Sequence, residues 1–323
     1  MLDTSLLYLL AGLGIAVALI ALGWFLGHRT QARIADDHPP EGEFIEVSGT
    51  RLHYRQTGDT ARPAILVLHG ATTNLEEPFV ALSDALEDAH VLWADRPGLG
   101  WSERPQGEWS PRREAELLVG LLDQLDIERV TLIGHSWGGA IAMRFALDHP
   151  DRVRGLVLIA AALGAWIGEA AWFNKVTFWP ILGPLITRII VPLTGGKRLE
   201  SGAAHAFHPE PVPEDYSRRV KMPLLLRREI WLANAGDMRQ VNHHLEAQEA
   251  RYHEIEHPAI FLAGKADTVL WSHRHSGVTA SRMRRGEVRY LKGAGHNLHH
   301  HWPEEVARAV AEVEAAENSA RPS

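Results

Sequence analysis

Residues 130–147, VTLIGHSWGGAIAMRFAL, contain the signal that decides the fold of this chain. The apolar run 130–133 predicts a buried strand, and residues 139–147 predict a helix. A Gly-x-Ser-x-Gly motif centred on Ser136 lies between them. A sharp strand-to-helix turn needs glycine on both sides, because a Cβ there would collide with the backbone that pushes the serine hydroxyl into the open. The segment therefore predicts an exposed serine that can act as a nucleophile.

Strands and helices alternate along the chain on both sides of this segment. The other predicted strands are residues 44–47, 51–56, 64–68, 90–94, 155–159, 259–262 and 288–291. The other predicted helices are residues 78–87, 111–125 and 303–317. This alternation is typical of an α/β domain with a mostly parallel sheet and helices on both faces. Residues 161–247 carry no clear strand, so we expect a helical cap inserted between two parts of the core, 44–160 and 248–317.

A base and an acid, the two partners that a serine nucleophile needs, each follow a later strand. A serine hydroxyl is a weak nucleophile unless a base, itself oriented by an acid, takes its proton. Asp267 and His296 each follow a predicted strand, at the sheet edge where sites of open α/β sheets form. No acidic residue lies between 152 and 169, so the alternative acid position after the preceding strand is vacant. We therefore predict a catalytic triad of Ser136, Asp267 and His296.

Two further turns carry candidate site residues. The oxyanion of a tetrahedral intermediate needs backbone N–H donors, and the residue after the nucleophile, Trp137, supplies one. The loop after strand 64–68 contains His69, Gly70 and Ala71, of which we expect Ala71 to supply the second donor and the other two to contact substrate. The tight turn DRPGLGWS has mainly a structural role, with Trp101 expected to line the pocket.

Three consecutive histidines, His299, His300 and His301, follow His296 closely. An H-x-x-H-H pattern is compatible with a metal site, but the carboxylate pattern of a known motif does not accompany it. We expect these side chains to be mostly solvated near the start of the last helix. The sequence thus predicts no metal and no cofactor for the reaction.

Residues 6–27 form a run of 22 positions without a charged side chain. As a helix it spans about 33 Å, enough to cross a hydrocarbon core of about 30 Å. A cleaved signal sequence would have a basic start and a small-residue cleavage site, which this run lacks, so we predict a retained single-pass anchor over residues 1–30. Arg29 and Arg33 follow the run while no basic residue precedes it, which favours a cytoplasmic catalytic domain.

The composition sets the remaining limits. The 323 residues include no cysteine, which excludes disulfides, thiolate metal sites and cysteine nucleophiles. A net charge of −7 argues against nucleic acid as a partner, and 46% hydrophobic with 23% charged residues is typical of a globular chain. Residues 31–43, with a Pro pair and a Gly, predict a linker after the anchor, and the tail 318–323 is expected to be frayed.

The predicted cap is unusually apolar and basic. Residues 163–245 contain ten basic and seven acidic side chains, in contrast to the acidic remainder of the chain. Large apolar side chains crowd its first part, and we expect three of them, Trp166, Trp172 and Phe173, to contact substrate. A basic, apolar cap beside a membrane helix is suited to an anionic lipid surface.

Taken together, the motifs LHG, DRPGLGWSERP and GHSWGG, with Asp267 in AGKAD and His296 in GAGHN, resemble the α/β-hydrolase superfamily over roughly residues 44–317. The resemblance implies that Ser136 is the nucleophile, His296 the base and Asp267 its orienting acid. It also implies an oxyanion hole from the backbone of Ala71 and Trp137.

The resemblance leaves several activities open. The DRPGLGWS stretch is similar to that of haloalkane dehalogenases and epoxide hydrolases, but those have Asp at the elbow, where this chain has Ser136. We expect a membrane-anchored serine hydrolase that cleaves carboxylic esters of apolar, acyl or lipid-like substrates through an acyl-enzyme, with membrane lipid as its other partner. Carboxylesterases and monoacylglycerol lipases are the serine-bearing relatives that this expectation resembles. A meta-cleavage C–C hydrolase and a cofactor-free haloperoxidase are the enzyme alternatives. A non-catalytic membrane receptor or scaffold is the alternative of another class.

Overall fold

The computed structural model describes residues 4–165 and 171–320, beginning with a long N-terminal helix, α1 (Thr4–Asp37). Its most apolar stretch is entirely exposed, so α1 is not a core helix and is the one candidate membrane span among the described residues. The helix continues past the expected boundary at residue 30, and the linker is shorter than predicted. The reason is tertiary packing: Ile34 is buried against the cap, and the side-chain oxygen of Gln31 accepts a hydrogen bond of 2.8 Å from the backbone N–H of Arg228.

The core is one eight-stranded sheet with the strand order β1-β2-β4-β3-β5-β6-β7-β8. The strands are β1 (Glu43–Val47), β2 (Thr50–Thr57), β3 (Ala64–Leu68), β4 (His90–Ala94), β5 (Val130–His135), β6 (Val153–Ile159), β7 (Ala259–Gly264) and β8 (Gly286–Leu291). Strands β1 and β2 pair antiparallel with each other, β2 pairs antiparallel with β4, and all other neighbours are parallel. The predicted fold class is confirmed, and all eight predicted strands are present.

Helices cover both faces of this sheet. They are α2 (Glu76–Leu82), α3 (Pro111–Gln124), α4 (Trp137–Asp148) and α12 (Pro303–Ala320). Helices α3 and α4 pack on one face, and α2 and α12 on the other. The last helix extends to residue 320, so residues 318–320 of the expected frayed tail are helical. Hydrogen bonds from Arg129 to Glu317 and from Arg154 to Asn318 hold this end on the body.

The helical segment between β6 and β7 occupies the position of the predicted cap. Its helices are α5 (Trp172–Val176), α6 (Leu182–Leu185), α7 (Val191–Thr194), α8 (Gly196–Phe207), α9 (Tyr216–Arg219) and α10 (Arg228–Glu249), and α11 (Val278–Arg282) follows in the core. A π-helical turn, Ile186–Ile190, joins α6 to α7. The described part of the cap contains no strand.

A buried ion-pair network connects the cap to the turn after β4. Arg96 is fully buried, and its guanidinium lies 2.7 Å from Glu114 on α3 and 3.2 Å from Asp237 on α10. Arg104 also pairs with Asp237, at 2.8 Å. Leaving any one of these charges alone in the interior would be costly, so the network holds α3, α10 and this turn in one arrangement. The structural role expected for the turn agrees with these contacts.

Candidate active site

Ser136 occupies a strained turn between β5 and α4. Its φ is 51° and its ψ is −119°, a backbone conformation that residues other than glycine rarely adopt. A Cβ at Gly134 would lie 2.7 Å from the carbonyl oxygen of Gly138, and a Cβ at Gly138 would collide with the carbonyl of Leu68. Glycine is therefore required at both positions. The turn directs the hydroxyl of Ser136 into a pocket above the sheet.

The structure places Ser136, His296 and Asp267 in one hydrogen-bonded chain. The distance between His296 Nε2 and Ser136 Oγ is 3.0 Å, and that between His296 Nδ1 and Asp267 Oδ2 is 2.9 Å. The other oxygen, Asp267 Oδ1, accepts hydrogen bonds from the backbone of Val269 and Leu270. If Nδ1–H donates to Asp267, Nε2 is free to accept the serine proton, which is the geometry of general-base activation.

The pocket above Ser136 has a volume of about 400 Å³ and is lined mainly by apolar side chains. Ala71 and Trp137 line it beside Ser136, where the sequence predicted the oxyanion donors. Its apolar lining is Leu199, Met222, Met238, Val241, Val269 and Leu270. Most of these residues belong to the cap, and sequence reasoning missed them because apolar residues at helical spacing have no chemical signature. A pocket of this size and character suits a small apolar ligand.

His69 and Gly70 lie behind the pocket. His69 is fully buried; its Nε2 accepts a 3.0 Å hydrogen bond from the backbone N–H of Arg96, and its Nδ1 lies 2.9 Å from the carbonyl oxygen of Gly70. Burial, with the nearby charge of Arg96, lowers the pKa of His69 to about 4. A Cβ at Gly70 would lie 3.2 Å from the Cβ of Ser136. Both residues shape the loop, and neither lines the pocket above Ser136.

Three of the aromatic residues expected at the substrate lie outside this pocket. Trp101 borders a second cavity and packs under the guanidinium of Arg227. Trp172 is 67% exposed on the outer surface of the cap, and Phe173 lies against Trp231. None of these three residues lines the pocket above Ser136. The two on the cap pack within it or face outward, and their contacts with substrate stay a prediction. Trp166 lies outside the described residues.

The histidines after His296 are not solvated as a group. His299 Nε2 and His300 Nε2 lie 2.8 and 2.9 Å from the same oxygen of Glu77, and both side chains are buried. Only His301 reaches the surface, where its Nε2 donates to the carbonyl of Pro211. Burial alone would raise the pKa of Glu77, but the two histidines and His135 hold it well below its usual range. The sequence could not show this carboxylate, because Glu77 precedes His299 by 222 positions.

A serine at a strained strand-to-helix turn, hydrogen-bonded to a histidine that is itself hydrogen-bonded to an aspartate, is an arrangement typical of α/β enzymes. The chain belongs to the alpha/beta hydrolase fold family, which matches residues 63–300. It is therefore a member of a family of hydrolases.

Similar proteins within this family differ in activity. A poly(3-hydroxyalkanoate) depolymerase of Ectopseudomonas oleovorans is 41% identical over 101 residues, 31% of this chain and 36% of its own length. Human epoxide hydrolase 4 is 30% identical over 171 residues, 48% of this chain and 47% of its own length. The chain thus spans less than half the length of either relative. The crystal structure of a membrane phospholipase A, a bacterial virulence factor, has the same fold, with a TM-score of 0.66, 22% identity and coverage of 98% of this chain and 99% of its own.

Proposed function

We propose that the protein is a membrane-anchored serine hydrolase that cleaves carboxylic esters with apolar acyl groups. The observation that carries this proposal is the hydrogen-bonded chain from Ser136 through His296 to Asp267 at the base of an apolar pocket. The serine at the elbow supports an acyl-enzyme, because an Asp nucleophile would form a different covalent intermediate.

The proposed reaction uses the chain's own side chains and water. His296 Nε2 takes the proton of Ser136 as the serine oxygen attacks the ester carbonyl carbon. The backbone N–H groups of Ala71 and Trp137 stabilise the oxyanion. The carbon–oxygen ester bond then breaks, and His296 gives its proton to the departing alcohol. A water molecule, deprotonated by His296, attacks the acyl carbon and releases the carboxylic acid, which restores the free serine.

Contacts between α1 and the cap support a membrane setting. A Cβ at Gly27 would collide with the carbonyl of Arg188, and a Cβ at Gly23 would lie 3.0 Å from the side chain of Ile189. These cap residues are thus level with the last turns of the uncharged run. If that run lies in a bilayer, this part of the cap lies at its border.

The surface of the cap also fits a lipid environment. It exposes large apolar side chains that are unusual on a soluble surface, namely Trp172, Trp179, Ile181, Leu182 and Ile190. Arg228 lies one turn beyond Gly27, beside Gln31, at the height expected for lipid headgroups. Shared fold with a membrane phospholipase A over nearly the whole chain supports lipid esters as the substrate class. Arg29 and Arg33 favour the cytoplasmic side.

Labelling with a fluorophosphonate tests the nucleophile directly. We expect mass spectrometry to find the adduct on Ser136, and Ser136→Ala to retain less than about a thousandth of the activity. A series of p-nitrophenyl esters of increasing acyl length should then show the pocket's preference. An adduct elsewhere, or an active Ser136→Ala variant, would refute the assignment.

A further inference from the structure

Glu77, His135, His299 and His300 form a buried group beside the triad, which we call the Glu77 cluster. Glu77 is on α2, His135 ends β5, and the other two lie in the short turn Leu298–His300. One ligand atom from each of Glu77, His299 and His300 lies within 4.8 Å of the others. The ester hydrolysis proposed above uses none of these four side chains.

The cluster contains polar atoms that the rest of the described structure leaves without hydrogen bonds. Glu77 Oε2 and His135 Nδ1 are both buried and unpaired, and they lie 3.9 Å apart. His135 Nε2 lies 3.3 Å from the carbonyl oxygen of His296, to which it donates, so Nδ1 carries a lone pair. His299 Nδ1 is unpaired as well. Two lone pairs that face each other in the interior are unfavourable unless a cation or a proton donor lies between them.

We propose that the Glu77 cluster is a binding site for a divalent transition-metal ion, with zinc the best match. One carboxylate and up to three imidazoles make a ligand set that zinc prefers. Glu77 Oε1 lies 2.8 and 2.9 Å from the two Nε2 atoms, and ligands around a tetrahedral zinc lie roughly 3.3 Å apart. An ion between these atoms requires the two oxygen–nitrogen distances to lengthen by a few tenths of an ångström, while all three ligand atoms already lie within 4.8 Å of one another.

Two features of the surroundings fit such an ion. The hydrogen bond from His135 Nε2 to the backbone is the usual support for a histidine that ligates through its other nitrogen. Glu77 and His135 also line the pocket above Ser136, so the cluster adjoins that pocket. Bound there, it would join α2, the nucleophile turn and the loop of His296, and it would stabilise the folded state by an amount that rises with the logarithm of its free concentration relative to Kd.

Zinc uptake by the full-length, tag-free protein, stripped with a chelator in detergent, tests this site. We expect one zinc ion per chain in equilibrium dialysis, visible absorption bands when Co²⁺ replaces it, and a rise in melting temperature with zinc. Glu77→Gln and His300→Gln should each weaken binding at least about tenfold. The matched control is His301→Gln, which should bind like the wild type because His301 points to Pro211 instead.

The outcomes separate this site from the proposed hydrolase. Ser136→Ala should bind zinc normally, so the site can be present even if the proposed activity fails. No uptake by the wild type, or uptake that neither Glu77→Gln nor His300→Gln reduces, would overturn the proposal. If Glu77→Gln does not fold, the comparison of His300→Gln with His301→Gln decides, because the side chain of His300 lies at the edge of the cluster, towards Tyr216.

Discussion

Asp267 uses its two carboxylate oxygens differently: one accepts two backbone N–H groups of its own loop, and the other accepts from His296. We expect Asp267→Asn to keep the loop but to lower kcat about 10³- to 10⁴-fold, because an amide favours the wrong tautomer of the base. The measurement is steady-state hydrolysis of a short p-nitrophenyl ester. Asp59→Asn, in an exposed turn, is the control, and a loss below tenfold for Asp267→Asn would argue against its role.

Asn234 connects the cap to the predicted oxyanion loop. Its side-chain oxygen accepts a 2.7 Å hydrogen bond from the backbone N–H of Thr72, the residue after Ala71. Thr72 has a φ of 62°, so the loop depends on such contacts to keep its shape. We expect Asn234→Ala to lower kcat about tenfold, less than the loss of a whole oxyanion donor. Glu246→Ala, exposed on the same helix, should leave kcat unchanged; equal values for both variants would contradict the prediction.

At the scale of elements, His275 connects the core to the start of the cap through hydrogen bonds. Its Nδ1 accepts hydrogen bonds of 3.1 Å from the backbone N–H groups of both Leu163 and Gly164, which requires a neutral ring. Burial, together with the charge of Arg274, lowers the pKa of His275 to about 4 from 6.5. As the pH falls, His275 therefore takes up a proton in the unfolded chain before it does so in the folded chain. The stabilisation is complete above pH 6.5 and is lost as the pH falls toward 4.

This linkage predicts a pH-dependent stability. The shift of His275 corresponds to a loss of at most about 3 kcal/mol in the free energy of unfolding between neutral and acid pH. His275→Gln should be less stable than the wild type at neutral pH and should lose less stability on acidification. Urea unfolding in detergent at several pH values measures both. Parallel curves for the two proteins would show that His275 does not titrate in this way.

At the scale of the whole molecule, α1 belongs both to the candidate anchor and to the cap. Removing residues 1–29 leaves Gln31 and Ile34, which contact the cap, in place. We expect this truncated protein to be soluble and folded and to hydrolyse short esters, because the sheet has its own core. Removing residues 1–38 also removes those contacts and should lower the melting temperature. Equal melting temperatures would mean that the packing of α1 adds no stability.

The truncated protein should still prefer anionic membranes. We expect the form lacking residues 1–29 to bind anionic vesicles more tightly than neutral ones, since each surface cation near such lipid contributes about 1 kcal/mol. Replacing Arg218, Arg219, Arg227 and Arg228 with Gln should reduce that preference, and added salt should weaken it. A cosedimentation assay measures both effects. If the four substitutions leave the preference for anionic vesicles unchanged, these arginines do not bind lipid, and the cap would then serve as a lid for soluble substrates.

The absence of cysteine allows the depth of the cap in a bilayer to be measured with single spin labels. In the full chain in vesicles, a label at Ile181→Cys should be shielded from a water-soluble nickel relaxant but reached by oxygen. Leu13→Cys reports on the anchor, and Asp59→Cys reports on the solvated body. A shielded label at 13 with an accessible one at 181 would place the cap clear of the membrane. If the nickel relaxant reaches the labels at both 13 and 181, the N-terminal helix does not lie in the membrane and the predicted anchor is refuted.

The sequence alone determined the sheet, the elbow of Ser136 and the order of its partners Asp267 and His296. These depend on local properties: period-two and period-3.6 patterns decide strands and helices, and glycines around a serine decide the turn. Element ends shifted by a few residues, since they depend on contacts beyond the element. The helix through residue 37 is the clearest such case, because the packing of Ile34 on the cap and the hydrogen bond from Arg228 to Gln31 hold its last turns.

Only the tertiary structure decided which distant side chains meet. It joined Glu77 to His299 and His300, placed His69 behind the pocket and turned Trp172 outward. It also brought cap residues such as Met238 and Val241 to the pocket. Such encounters depend on how the assembled helices pack on the sheet, so a local sequence pattern does not encode them. The candidate triad was therefore predictable from the sequence, whereas the shape of the pocket and the surroundings of the histidines required the fold.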